Sequence, residues 1–284
     1  MRMTPMAALT ATLCLLLGAG PGPSRADETV AADEQPPASP VSTDPHPHLT
    51  LDFSTHAWLT GGMLAVVGAS QLLSDHLAPP ACRWCEPPQL DRWARRQLLW
   101  KDVKQATMIG NLLIVAVPVG ATLTLSLMAH ADGAGFREGA EDLLVMTEAT
   151  SVALTLMQVA KFTAGRLRPD AWAGSGSTTA NSRMSFFAGH SSTAFAIAAA
   201  GTQVLRLRGR PGWKWFAAIS FVSAAATGMF RVASDNHWLT DVVTGAAIGT
   251  AVGLAVPLLV LHPAGEHSTG VTLVPAPGGL ALVF

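Results

Sequence analysis

The sequence predicts an all-α fold, a membrane-embedded bundle of about six helices with the active site at one end. Three observations carry this prediction. Only 13% of the 284 residues are charged and 49% are apolar, whereas a soluble domain carries nearer a quarter charged residues. Apolar segments follow one another at approximately 56–73, 107–129, 141–160, 191–206, 213–230 and 240–262. The residues able to do chemistry sit at the ends of these segments rather than within them.

In chain order, the N-terminus comes first. Arg2 precedes an apolar run from Met6 to Leu17, and Ser24-Arg25-Ala26 supplies a small-x-small cleavage site. Residues 1–26 therefore read as an export signal, with a short uncleaved anchor as the alternative; the run is too short to span a bilayer comfortably. Residues 27–50 are acidic and Pro-rich and read as a flexible linker that buries too little apolar surface to order itself. Of three cysteines, Cys14 falls in the signal. Cys82 and Cys85 form a C-x-x-C with no second pair to complete a zinc site, and read as a local disulfide.

The helical domain is placed at 51–262. Segments 107–129 and 240–262 are long and nearly uncharged, as spanning helices are. The others carry polar residues such as Glu148 and Gln158, which are expected to face the bundle interior. Gly245, Gly249 and Gly253 recur every four residues and make a small face on which another helix can approach closely. Residues 263–284 are Gly/Pro-rich and read as an irregular tail. A net charge of −1 gives no basic field for nucleic acid, which is not expected as a partner.

Three stretches carry the chemistry: Lys161, six residues, Arg168-Pro169; Gly189-His190; and Arg231, five residues, His237, three residues, Asp241. Successive bundle helices run antiparallel through short connections, which brings 161–190 and 231–241 to one end. Lys161, Arg168 and Arg231 can neutralise a phosphate dianion, the arginines through a planar fork of donors. Backbone N–H groups at a helix start near Gly189 add donors, and glycine permits close approach. His237 and Asp241, four apart, share a helix face, so the carboxylate can orient one ring nitrogen and free the other as a nucleophile. His190 is suited to protonate the leaving group and then activate water. Any one of these residues alone reads as structural; order, spacing and shared position make the case.

This pattern resembles the type 2 phosphatidic acid phosphatase and vanadium haloperoxidase superfamily, in its membrane lipid phosphatase branch. The resemblance implies a helical fold, His237 as nucleophile, Asp241 as its orienter, His190 as acid/base, and Lys161, Arg168, Gly189 and Arg231 as the phosphate cradle. It also implies no metal or cofactor; vanadate enters only on the haloperoxidase alternative. Two family serines are replaced, by Ala188 and Phe230, and a family proline by Phe187. One lost donor costs on the order of 1–3 kcal/mol, a ten- to hundred-fold rate effect, and Ser185 or Ser191 stands near enough in sequence to compensate.

The expected substrate is a membrane lipid phosphate monoester or an isoprenoid diphosphate, with the bilayer as the other partner. A soluble periplasmic phosphatase, a haloperoxidase and a weakly active or non-catalytic membrane interaction protein are the alternatives. Arg206, Arg208, Arg210 and Lys214, in a loop without acids, argue by the positive-inside tendency for a multi-pass protein of a bacterial-type inner membrane with its active site facing the periplasm. A cleaved signal opposes that orientation unless 56–73 fails to cross fully, and the loop 78–104, also net basic, opposes it too.

Overall fold

The structure, a computed structural model, describes residues 49–176, 179–263, 272–276 and 279–283. The predicted signal (1–26) and all but the last two residues of the predicted linker (27–50) lie outside them. The elements are β1 (Leu49–Thr50), α1 (Phe53–Leu72), α2 (Ser74–Leu77), α3 (Gln89–Leu98), α4 (Val103–Ala131), α5 (Phe136–Ala164), α6 (Pro169–Trp172), α7 (Gly189–Leu207), α8 (Trp213–Ala233), α9 (Leu239–Val260), β2 (His262–Pro263), β3 (Thr272–Ala276) and β4 (Gly279–Val283). Each predicted apolar segment is one of the long helices α1, α4, α5, α7, α8 and α9, as an all-α bundle requires. The tail read as irregular contains an antiparallel pair, β3 with β4, and β1 pairs with β2 through Leu49↔Pro263.

Local chemistry sets the helix ends. The Asp52 carboxylate accepts the Thr55 N–H at 3.3 Å, and the Asp102 carboxylate accepts the Gln105 N–H at 3.0 Å, so each caps a helix whose first N–H groups have no partner of their own. Gly165, with φ of 57°, closes α5 in the left-handed region that a side chain disfavours. Pro169 then opens α6 at its first position, where a missing N–H costs nothing.

Among the described residues four helices, α4, α5, α8 and α9, are long and apolar enough to cross a membrane, and the chain is a multi-pass membrane protein. Along α4, Met108, Leu112, Val115, Val119, Leu123 and Leu127 form an exposed apolar stripe at helical spacing, as a lipid-facing surface does. Helix α7 is the buried centre, with Ala194, Ala196, Ile197, Ala198, Ala199 and Ala200 enclosed. The glycine face of α9 packs against it. A Cβ at Gly245, Gly249 or Gly253 would lie 2.7, 2.2 or 2.5 Å from the carbonyl oxygens of Ala188, Ser192 and Ala196.

Helix α1 runs parallel to α5 along its length: His56 Nδ1 meets Glu148 Oε2 at 2.8 Å and Gln158 donates to Ser70 Oγ at 2.6 Å. The expected inward-facing polar residues of α5 are thus satisfied by α1. The twenty residues of α1 extend about 30 Å along the bundle, but α1 is not among the described helices apolar enough to count as membrane spans. Both β1 and β2 lie at the end of the bundle opposite the three motifs.

That opposite end corrects the charge count of the 206–214 loop. Arg208 and Arg210 are 2% exposed and internal. Arg208 Nε meets Asp142 Oδ1 at 2.9 Å; Arg210 meets Asp142 Oδ2 at 2.6 Å, Glu138 Oε1 at 2.7 Å and Asp132 Oδ2 at 3.3 Å. The acids come from the end of α4 (Asp132) and the first two turns of α5 (Glu138 and Asp142), which the bundle topology brings to the same end. These two arginines bind helices together rather than facing a membrane surface. Arg210→Ala is expected to cost about 3 kcal/mol, because it takes one of two guanidinium partners from the buried Asp142; thermal unfolding in detergent against Arg206→Ala, which removes an exposed charge, measures it.

Candidate active site

All seven predicted site residues gather at one end. Lys161 lies in the last turn of α5, Arg168 directly before α6, Gly189 and His190 at the start of α7, Arg231 in the last turn of α8, His237 in the α8–α9 connection and Asp241 in the first turn of α9. Lys161, Arg168 and Arg231 each act electrostatically on both His190 and His237, and His237 acts on His190. Three cations therefore stand about two imidazoles, with Arg168, Arg231, His237 and Asp241 all buried. Among the described residues no group of three or more His, Cys, Asp or Glu side chains is placed to hold a metal.

Arg168 and Arg231 hydrogen-bond only to neutral groups, which leave their charge unspent. Arg168 donates from Nε to the Asn181 carbonyl at 2.9 Å, from one terminal nitrogen to the Asn236 carbonyl at 3.1 Å and from the other to Asn181 Oδ1 at 3.1 Å. Arg231 donates to Asn111 Oδ1 at 3.0 Å, and its buried Nε has no protein partner. A buried donor without a partner is costly unless an anion satisfies it. Burial first, then the charges of Arg168, Lys161 and Arg231, holds the His237 pKa well below its ordinary value. That shift favours the neutral imidazole, the state a nucleophile requires.

The pairing of His237 with Asp241 differs from expectation in detail. Nδ1 lies 3.7 Å from Asp241 Oδ2, within ion-pair range and beyond a hydrogen bond. The same carboxylate accepts from Ser185 Oγ at 2.5 Å and from the Trp238 N–H at 3.0 Å, and it pairs with Arg166. Ser185 thus holds the orienter and does not replace a phosphate donor. Ser191 does not either, because its hydroxyl donates to the Val242 carbonyl at 2.8 Å. Ala188 packs with Val232 and Val242 in a small apolar cluster, and Phe230 stacks edge-on against Trp100 at 5.2 Å. Both family serine positions are therefore occupied by packing, not by a relocated hydroxyl.

Several residues absent from the predicted set complete the site's frame. Helix α3 presents Asp91 and Arg95 one turn apart. Asp91 pairs with Arg166 and Thr240, and Arg95 makes a two-pronged pair with Asp235 at 2.7 Å on both arms. Asp235 has φ of 58° at the turn leading to His237. Arg95, counted from the sequence as loop charge, is thus a tie between α3 and the His237 loop. Cys82 and Cys85 form the expected disulfide, with Trp84 between them stacked 3.8 Å over the Arg166 guanidinium.

Residues 142–262 match the sequence model of the PAP2 superfamily. A curated relative, the lipid A 1-phosphatase of Porphyromonas gingivalis, is 33% identical over 133 residues, which are 45% of this chain and 27% of that protein. The chain thus spans about a quarter of the length of that relative. A crystal structure of a transmembrane PAP2 type phosphatidylglycerolphosphate phosphatase from Bacillus subtilis shares 22% identity at a TM-score of 0.38, covering 72% of this chain and 91% of that one.

Proposed function

We propose that this chain, whose residues 142–262 belong to the PAP2 superfamily, is a phosphatase of membrane lipid phosphate monoesters or isoprenoid diphosphates that works through a phosphohistidine without a metal. The observation that carries the reading is the convergence of Lys161, Arg168 and Arg231 on two imidazoles inside a multi-pass bundle. The cations and the N–H groups at the start of α7 bind the nonbridging phosphoryl oxygens. A free ring nitrogen of His237 attacks phosphorus while the ester oxygen departs and takes a proton from His190, which becomes protonated when the bound phosphate dianion offsets the three neighbouring cations. Water, deprotonated by His190, then attacks the phosphohistidine, releasing inorganic phosphate and restoring both imidazoles. Preorganised cations stabilise charge on the transferring phosphoryl group throughout, normally the largest single catalytic contribution. The name of the curated relative, a lipid A 1-phosphatase, supports a phosphate carried on a lipid.

The active-site end faces the oxidising side in this reading, on the strength of the Cys82–Cys85 disulfide. Since α1 runs the length of the bundle, residue 49 then lies on the opposite side. That places this orientation against cleavage of residues 1–26 by an exporting peptidase and in favour of an N-terminus that is not exported. Labelling of Cys82 and Cys85 in intact cells after mild reduction is the expected result; labelling only after permeabilisation reverses the orientation.

The activity is tested by purifying the full chain in detergent and supplying phosphatidate, phosphatidylglycerophosphate, lipid A and undecaprenyl diphosphate in the presence of EDTA. Phosphate release from at least one of them is the expected result. Turnover of water-soluble monoesters alone overturns the lipid assignment, and activity abolished by EDTA and restored by a divalent cation overturns the metal-free mechanism.

A further inference from the structure

The buried ion pair between Asp91 and Arg166 lies outside the phosphate cradle, yet it is bonded directly to the residue that faces the nucleophile. Arg166 stands five residues after Lys161 and two before Arg168 in a run of cations, and by position alone it would pass for one more phosphate ligand. Its terminal nitrogens, however, are committed to other partners. The side chain is 1% exposed, and each terminal nitrogen is engaged. One pairs with Asp91 Oδ2 at 2.5 Å; the other reaches Thr240 Oγ1 at 2.8 Å and Asp241. The Trp84 ring covers one face of the guanidinium at 3.8 Å. Gly165, in its left-handed conformation, turns the chain so that Arg166 leaves the line of Lys161 and Arg168.

Asp91 is equally enclosed, at 0% exposure. Its second oxygen accepts the Thr240 N–H at 2.9 Å, and the Thr240 hydroxyl donates to Oδ2 at 2.7 Å. One guanidinium is thereby shared between two carboxylates, one on α3 and one on α9. The sharing has a consequence for Asp241. With one nitrogen of Arg166 committed to Asp91, Asp241 receives a single arm on Oδ1. Its Oδ2 is left to Ser185, to the Trp238 N–H and to the approach of His237 Nδ1 at 3.7 Å. Without Asp91, a planar fork of donors turns both arms to the one remaining carboxylate. Asp241 would then rotate and be neutralised at the point where it has to support the imidazole.

We infer that Asp91, acting through Arg166, is a positioning residue for the phosphoryl-transfer step: it splits the guanidinium and so fixes the carboxylate that orients His237. The inference rests on the phosphatase reading above. Helix α3 is therefore part of the catalytic frame although it lies far in sequence from every motif. The arrangement follows the general pattern in which a second layer of hydrogen bonds fixes the rotamer of a catalytic group.

The test uses the full chain in detergent with Asp91→Asn and Thr240→Val, on whichever lipid phosphate of the panel wild type hydrolyses fastest. Asp91→Asn is expected to lower kcat ten- to hundred-fold with KM and inhibition by inorganic phosphate within two- to three-fold of wild type, because Lys161, Arg168 and Arg231 are untouched. Thr240→Val, which removes one hydroxyl bridge and no charge, is expected to lower kcat about three- to ten-fold in the same manner.

The pH profile separates positioning from stability. His237 is faced by Lys161 from α5, Arg168 from the α5–α6 connection, His190 from α7, Arg231 from α8 and Asp241 from α9. Loss of the Asp91 charge leaves Arg166 to neutralise Asp241 more fully, so protonated His237 loses support. The acidic limb of kcat then moves to lower pH in Asp91→Asn relative to wild type on the same substrate. A purely structural role lowers folded yield and leaves the profile in place. If Asp91→Asn does not fold, Thr240→Val decides: a wild-type kcat overturns the inference. Active wild type together with a folded Asp91→Asn of unchanged kcat and pH profile overturns it alone, whereas a wild type that releases no phosphate overturns the phosphatase reading and this inference with it.

Discussion

Replacing His237 by Ala is expected to reduce kcat by at least about 10⁴-fold, roughly 5.5 kcal/mol of transition-state stabilisation. The size follows from the role: without the imidazole there is no nucleophile, and the buried cleft offers no second group at the same position. Binding is expected to survive. Lys161, Arg168 and Arg231 remain, so inhibition by inorganic phosphate should stay close to wild type. Rapid quench at alkaline pH with phosphorus-labelled substrate should trap label on the wild-type protein and none on the variant. Activity that persists in His237→Ala, or label that persists, overturns the mechanism. The pH dependence adds a second reading of the same residue. Burial and three neighbouring cations hold His237 neutral below its ordinary titration range. Protonation therefore removes the nucleophile only at lower pH, and kcat/KM of wild type should hold its neutral-pH value down to the substrate's own second ionisation near about 6.

The seven residues of the site were legible because each belongs to a short stretch whose spacing is a property of the chain itself. A Lys and an Arg-Pro seven residues on, or a His and an Asp four apart, keep their relation wherever the bundle places them. Antiparallel connectivity then suffices to bring the stretches together. The helix count was legible for a related reason, since long apolar runs in a chain with few charges have one economical fold. Asp91, Arg95 and Arg166 were not, because their meaning lies in partners 75 or 140 residues away. Arg166 in particular is surrounded by cations with a different task, and only the turn at Gly165 separates them. One signal was present: Asp91 and Arg95 are one turn apart on a short polar helix in a lipid-embedded chain, where charges facing inward need partners. Likewise Arg208 and Arg210 read as loop charge until the acids at the start of α5 are placed at the same end. The β1–β2 pairing involves two residues on each side and has no sequence pattern long enough to announce it.

Gly249→Val is expected to prevent recovery of folded protein, a loss of more than about 5 kcal/mol if it can be measured at all. A Cβ at this position would lie 2.2 Å from the Ser192 carbonyl oxygen and 3.1 Å from the Ala196 nitrogen. These atoms belong to the backbone of α7, so no rotamer change relieves the overlap. The two helices must separate by about 1 Å or more along their closest line. Overpacking in a core that can shift typically costs 1–3 kcal/mol; here the shift opens the whole contact made by Gly245, Gly249 and Gly253. It also reaches the site. Asp241 precedes Gly249 by eight residues, about 12 Å along α9, and His190 lies two residues before Ser192 on α7. Displacing one helix from the other therefore moves the nucleophile's partner away from the proton donor. Gly120→Ala on α4 is the matched control. Nothing lies within 4 Å of its Cβ position, so the substitution should be neutral or stabilise by up to about 1 kcal/mol through reduced freedom of the unfolded chain. Size-exclusion profiles and thermal unfolding in detergent compare the two. A Gly249→Val protein that elutes as wild type and unfolds within a few degrees of it would show that α7 and α9 do not meet at backbone contact, and that their register does not hold the two halves of the site together.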